Sequence, residues 1–134
     1  MLLHRNNAPK NWCPPCGRLE IGEQILDGLR REVEEETGLI VESALPVEIW
    51  QGDHNDLPTL SISYACFASD NKVILSSEHS KYLWVPVHEL KTTKIVTDFE
   101  VKKWPLYFEL AKLSKSSNGG VPSRKFESDC HEDR

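Results

Sequence analysis

Glu32, Glu35 and Glu36 impose the strongest constraint on how this 134-residue chain folds. From Glu23 to Thr37 the residues are mostly good helix formers, and Gly38 stands where a left-handed helix cap is expected. At about 100° per residue, the three glutamates fall at about 0°, 300° and 40° around such a helix, so three like charges share one stripe within two turns. A hard divalent cation relieves that repulsion, because Mg²⁺ takes carboxylate oxygens and keeps water and phosphate oxygens as its other ligands. The aliphatic residues Ile25, Leu26, Leu29 and Val33 fall at about 20° to 120°, beside the acidic stripe. The stripe is therefore expected to border the buried face of the helix. Glu34, at about 200°, points away as an ordinary solvent residue. Gly28, at about 320°, lies within the stripe, where a missing side chain leaves room either for ligands or for close helix packing.

Charge is concentrated in the same region. Between Glu20 and Glu48 nine acidic residues face only Arg30 and Arg31, a local net charge of -7 in a chain whose total is -5. The remainder is slightly basic. An acidic balance argues against general nucleic-acid or membrane-surface binding, since phosphate backbones attract an excess of Lys and Arg. No apolar run approaches the ~18 residues of a membrane helix, and Met1-Leu2-Leu3 is too short for the apolar core of a signal peptide. The expected location is cytoplasmic.

Around the helix the chain reads as strands and loops. Leu2–Arg5 is an expected short strand, followed by an Asn- and Pro-rich loop. Residues 39–41, 47–50, 61–67, 72–75 and 82–85 are further expected strands, and a second helix is expected over 98–113, with Pro105 tolerated only in a first turn. The order implies an α+β chain with helices packed against a mixed sheet. Composition shifts to Ser, Gly and charged residues after Leu113, which divides the chain into a domain over 1–113 and a flexible tail over 114–134.

Gly17, five residues, Glu23, seven residues and then Arg31-Glu32-Val33-Glu34-Glu35-Glu36-Thr37-Gly38-Leu39 match all nine specified positions of a known pattern. The segment resembles the Nudix box of the Nudix hydrolases, Gly-x5-Glu-x7-Arg-Glu-U-x-Glu-Glu-x-Gly-U with U aliphatic. At ordinary residue frequencies a chance match has odds of roughly 10⁻⁹ per start position. The resemblance implies an α/β/α sandwich around a mixed sheet and a pyrophosphohydrolase that uses Mg²⁺ or Mn²⁺. Its substrate would be a nucleoside diphosphate linked to another moiety, attacked by water at phosphorus. Carried over to this sequence, Glu32, Glu35 and Glu36 are the metal-binding carboxylates, one of them also a candidate to activate water. Arg31 either orients them or forms a surface ion pair. Glu23 caps the helix and buttresses Arg31. Gly17 and Gly22 fit a turn that needs unusual backbone angles so that a carbonyl can face the metal, and Arg18, Gly17 and Arg5 are candidate substrate-binding residues, the two arginines as phosphate contacts. Glu78, ahead of the Trp84 strand, is either a further metal ligand or catalytic base, or an exposed loop residue; His79 is a weaker candidate base. Trp12, Trp50, Tyr64 and Tyr82 are open between stacking on a nucleobase and ordinary packing.

Two features depart from the family pattern. Pro15-Cys16-Gly17 replaces the common Pro-Gly-Gly at the entrance to the box, which leaves open a binding or regulatory module with impaired catalysis. Together with Trp12-Cys13-Pro14-Pro15-Cys16, it also imitates a thiol-disulfide redox motif, although only eleven residues precede Trp12 and a thioredoxin-like order needs more. In addition, the first strand of this chain normally follows an earlier one in the family. Either the start lies upstream, or a sheet edge is left to pair in a homodimer or to stay exposed.

Overall fold

The computed structural model describes residues 1–90 and 101–117. Strands β1 (Leu2–Arg5) and β2 (Trp12–Cys13) precede helix α1 (Ile25–Thr37); β3 (Val41–His54), β4 (Leu57–Ala68), β5 (His79–Leu83) and α2 (Trp104–Ser117) follow. The α+β class is as expected, but every described strand pair is antiparallel. One sheet has the order β2-β1-β5 and the other is the β3-β4 pair, where a single mixed sheet was expected. β1 is flanked on both sides, so it is an interior strand rather than an open edge.

The register of the first sheet places the site. Leu3 pairs with Cys13, and Arg5, after a bulge, with His79. The loop that leaves β2 at Cys13 therefore starts beside Leu3, while the segment entering β2 lies against the other end of β1, where the Arg5 N–H donates to the Asn11 carbonyl at 3.2 Å. Leu2 and Leu3 are fully buried, and a core cluster of Val33, Leu39 and Val41 joins α1 to β3. Along α1 the aliphatic stripe is buried only toward its C-terminus: Val33 is in the core and Leu29 packs against it, whereas Ile25 and Leu26 remain more than 40% exposed.

Several boundaries differ from expectation for identifiable reasons. Residues 72–75 form no strand, because this segment caps α1 instead. The Ile74 N–H donates to the Thr37 carbonyl at 2.8 Å and the Ser76 N–H to the Glu36 carbonyl at 3.2 Å, satisfying carbonyls that the helix end leaves without partners. Residues 47–50 belong to a single long strand that runs on to His54. It turns through Asn55 and Asp56, both at positive φ, a two-residue hairpin geometry that Asn and Asp tolerate. Residues 39 and 40 lie ahead of β3, and β5 starts at His79 and ends at Leu83, displaced from 82–85. Pro105 does lie in the first turn of α2, where its missing N–H costs nothing. That helix continues to Ser117, into the serines read as tail; residues 98–100 and 118–134 lie outside the described part.

Candidate metal and phosphate site

Arg31 is the hub of the box. Its Nε donates to Glu23 Oε1 at 2.8 Å and its Nη2 to Glu23 Oε2 at 3.0 Å, a two-pronged pair that fixes the guanidinium plane. Nη2 also donates to the Arg18 carbonyl at 3.0 Å, tying the loop to the helix. Nη1 reaches Glu32 Oε1 at 2.9 Å and Glu35 Oε2 at 3.3 Å. Glu23 lies just ahead of the helix rather than inside it, where it also accepts the Glu20 N–H at 3.0 Å. The Arg31 hydrogen bonds and then that amide hold its carboxyl down to about 2, well below the ordinary carboxylate value. Hydrogen bonds to the Glu23 and then the Glu32 carboxylate raise the Arg31 guanidinium in turn. One side chain thus bonds two carboxylates of the stripe, Glu23 and the loop before it.

Glu36 faces a different environment. It is only 8% exposed; its Oε2 accepts the Cys16 N–H at 3.0 Å and its Oε1 lies 3.7 Å from His79 Nε2. Burial, and then the negative charges of Glu32 and Glu78, push its carboxyl up to about 8, against the Cys16 amide, which favours the charged form. Glu78, just ahead of β5, is exposed, and its charge acts on both Glu36 and His79. Arg5 acts electrostatically on the same His79 and on Cys16. The Arg18 side chain is exposed, and its link to the site is through its carbonyl.

The glycines act through space more than through backbone angle. Gly22 and Gly38 adopt positive φ, and the Gly38 N–H closes the helix on the Glu34 carbonyl at 2.7 Å. Gly17 does not, contrary to expectation; a Cβ there would collide with the Glu32 carboxylate, so its role is to let the loop backbone lie against that group. The space at Gly28 is taken up by the Leu19 and Glu23 side chains, which favours close packing over room for ligands. Cys16 meets the backbone requirement at this position: its φ is not positive, and its N–H donates to Glu36 Oε2. Its thiol is pushed upward by a hydrogen bond to Cys13 and by burial, the opposite of what an attacking thiolate requires. Of the aromatic candidates, Trp12 packs edge-on against His4, with ring centroids 5.2 Å apart, while Trp50 and Tyr82 are about half exposed and Tyr64 is half-buried.

Among the described residues no three His, Cys, Asp or Glu side chains are grouped closely enough to hold a metal ion as they stand, since Glu32 and Glu35 are turned onto Arg31. The donor set nevertheless fits a hard divalent cation in kind. All three are carboxylates, they lie on adjoining turns, and among the described residues no Lys or Arg bonds the buried Glu36. The residues that spacing alone did not reveal are the Cys16 amide and the burial of His79, both dictated by backbone register.

Comparison with known proteins shows where this arrangement belongs. The model of the NUDIX domain matches residues 1–106. The chain belongs to the NUDIX domain family. The bis(5'-nucleosyl)-tetraphosphatase [asymmetrical] of Sus scrofa is 30% identical over 95 residues, covering 66% of this chain and 65% of that protein. The nucleoside triphosphatase NudI of Salmonella heidelberg is 28% identical over 101 residues, covering 67% of this chain and 72% of that protein. The NUDIX fold is also shared with solved structures. A hydrolase of the NUDIX family from Clostridium perfringens has a TM-score of 0.68 at 19% identity, over 82% of this chain and 88% of its own. A C. elegans Ap4A hydrolase binary complex has a TM-score of 0.61 at 22% identity, covering 85% of both chains. The chain thus spans slightly less than two thirds of the tetraphosphatase relative. No helix among the described residues is long and apolar enough to cross a membrane.

Proposed function

We propose that this NUDIX chain is a divalent-metal-dependent pyrophosphohydrolase acting on a nucleoside diphosphate linked to another moiety. The observation that carries this reading is the Arg31 hub, which holds Glu23 in two prongs while reaching Glu32 and Glu35. A solvated acidic face needs no such organisation. Glu32, Glu35 and Glu36 are the residues that would hold Mg²⁺ or Mn²⁺, with Glu78 the further ligand or base. When bound, the metal lowers the pKa of its water and offsets charge on the phosphoryl oxygens. The chain's own part is positional: Arg31 aligns two carboxylates, Gly17 keeps the loop against Glu32, and Arg5 and Arg18 supply positive charge for substrate phosphates. Dinucleoside polyphosphates and nucleoside triphosphates head the substrate panel, because the tetraphosphatase and NudI relatives carry those names.

Phosphate release from that panel with Mg²⁺ tests the reading. Glu35→Gln and Glu36→Gln should each lower turnover about 10²- to 10³-fold with the fold retained, a loss comparable to removing one charge-stabilising group from a transition state. Unchanged turnover in both variants would sink the assigned roles. A second reading, a nucleotide-binding module with impaired catalysis, draws on Cys16 and on the NUDIX domain of Shewanella oneidensis NrtR complexed with ADP ribose, whose TM-score is 0.60 at 15% identity. Tight nucleotide binding without turnover across the panel would favour it.

A further inference from the structure

We infer that His79 is a positioning residue for Glu36, an inference that rests on the metal-dependent reading above. His79 is the first residue of β5 and is 7% exposed, with its Nε2 3.7 Å from Glu36 Oε1. Its other ring nitrogen, Nδ1, is buried and has no hydrogen-bond partner among the described residues. Nε2 is thus the ring atom turned to the Glu36 carboxyl, and Nδ1 is the one left without a partner. A buried polar atom without a partner costs about 1–3 kcal/mol, and an apolar side chain would avoid that cost. The position therefore keeps a polar group for the sake of what Nε2 faces.

The surrounding bonds show how the ring is aimed. The His79 N–H donates to the Ser76 carbonyl at 3.3 Å, while the Ser76 N–H donates to the Glu36 carbonyl at 3.2 Å. The same short segment thus fixes both the main chain of Glu36 and the backbone of His79. On the opposite side the Cys16 N–H holds Glu36 Oε2. Glu36 is confined between the box loop and β5, with one oxygen turned to each. His79 is too buried to serve as the exposed proton acceptor that a general base would have to be, and burial lowers its pKa further. Its action is through Glu36, as outer groups orient the direct ligands of a metal.

The test compares His79→Leu, which removes Nε2 at similar bulk, with His79→Gln, whose amide nitrogen can occupy much the same place. His79→Leu should weaken Mn²⁺ binding about 10- to 100-fold and lower kcat with little change in the KM of the nucleotide. His79→Gln should recover most of both losses. Equal losses in the two variants, tracking their loss of thermal stability, would overturn the proposal by reducing His79 to a packing residue; so would wild-type Mn²⁺ affinity in His79→Leu. A metal-free arm keeps the two readings apart. In a thermal-melt cycle of His79→Leu, Glu36→Gln and the double variant, the shifts should be non-additive. Additive shifts would overturn the pairing. Wild-type protein that bound no Mn²⁺ would end the metal reading, while the cycle would still decide whether His79 sets Glu36.

Discussion

The box helix and the β3-β4 hairpin are built on opposite plans. In the box, polar groups are tied to one another: Arg31 makes five contacts through three nitrogens, and Glu36 is buried between two separate elements. In the hairpin, two long strands pair over twelve registered positions, yet Ile49, Trp50, Leu57 and Leu60 remain 48–70% exposed. The contrast teaches that the site's precision resides in side-chain bonds around one helix and one loop, whereas the hairpin is a scaffold with a soft surface. Rigidity is placed where charge must be aligned, as functional groups require of their supports.

The largest expected effect that separates the two comes from adding one methyl group in each region. Gly17→Ala puts a Cβ where the Glu32 carboxylate now lies. The glutamate can swing away, so stability should change little, but it leaves Arg31 and the stripe. Mn²⁺ affinity should fall about tenfold or more, as when the supporting shell of a metal site is disturbed. Gly52→Ala in the hairpin places its Cβ 2.5 Å from the Trp50 ring. That ring is half exposed and can move into solvent, so Mn²⁺ titration should show wild-type affinity. Equal loss in both variants would erase the distinction.

A middle-sized effect is the pH dependence of the Glu23 pair. The Glu23 carboxyl is held at about 2 in the folded protein, against an ordinary 4.5. A depressed folded value means that the unfolded chain takes up the proton first, so the pair's contribution is complete above pH 4.5 and is lost as pH falls toward 2. Urea midpoints measured at pH 6, 4 and 3 should drop more steeply in wild type than in Glu23→Gln. Parallel curves would show that the Arg31 fork contributes nothing to folding.

What the sequence made legible divides along the same line. The Gly17-to-Leu39 spacing announced the helix and the shared stripe as local consequences of a 3.6-residue period, and Gly38 announced the left-handed cap; the Arg31–Glu23 pairing was implied by the resemblance to the Nudix box, since Glu23 lies ahead of the helix. Groups joined from distant parts of the chain were not legible. His79 reaches Glu36 only through the Arg5–His79 register and the 72–76 segment that caps α1. That segment reads as a strand because Val73, Ile74 and Leu75 are apolar, and it is non-helical, non-strand backbone because Thr37 and Glu36 offer it unpaired carbonyls. Likewise, Gly17 reads as a backbone-angle residue until the Glu32 side chain is seen pressed against it. The length of β3 was hidden by Pro46 and Gly52, which interrupt the alternating pattern without ending an edge strand.

The smallest expected effect is at Trp50. The ring stands on β3 opposite Ser61, half exposed. If the hairpin is only a scaffold for the box, Trp50→Ala should shift stability by less than about 1 kcal/mol, as substitutions at partly exposed positions usually do. Mn²⁺ affinity should stay within about twofold of wild type, because none of the Arg31 or Glu36 bonds passes through this strand. The discriminating measurement is the nucleotide KM at saturating Mn²⁺. A rise in KM with kcat and Mn²⁺ affinity unchanged would assign the exposed ring to base stacking, making the hairpin a binding surface that works independently of the metal box. A fall in Mn²⁺ affinity would instead show that the two regions are mechanically one unit, and the division between them would have to be abandoned.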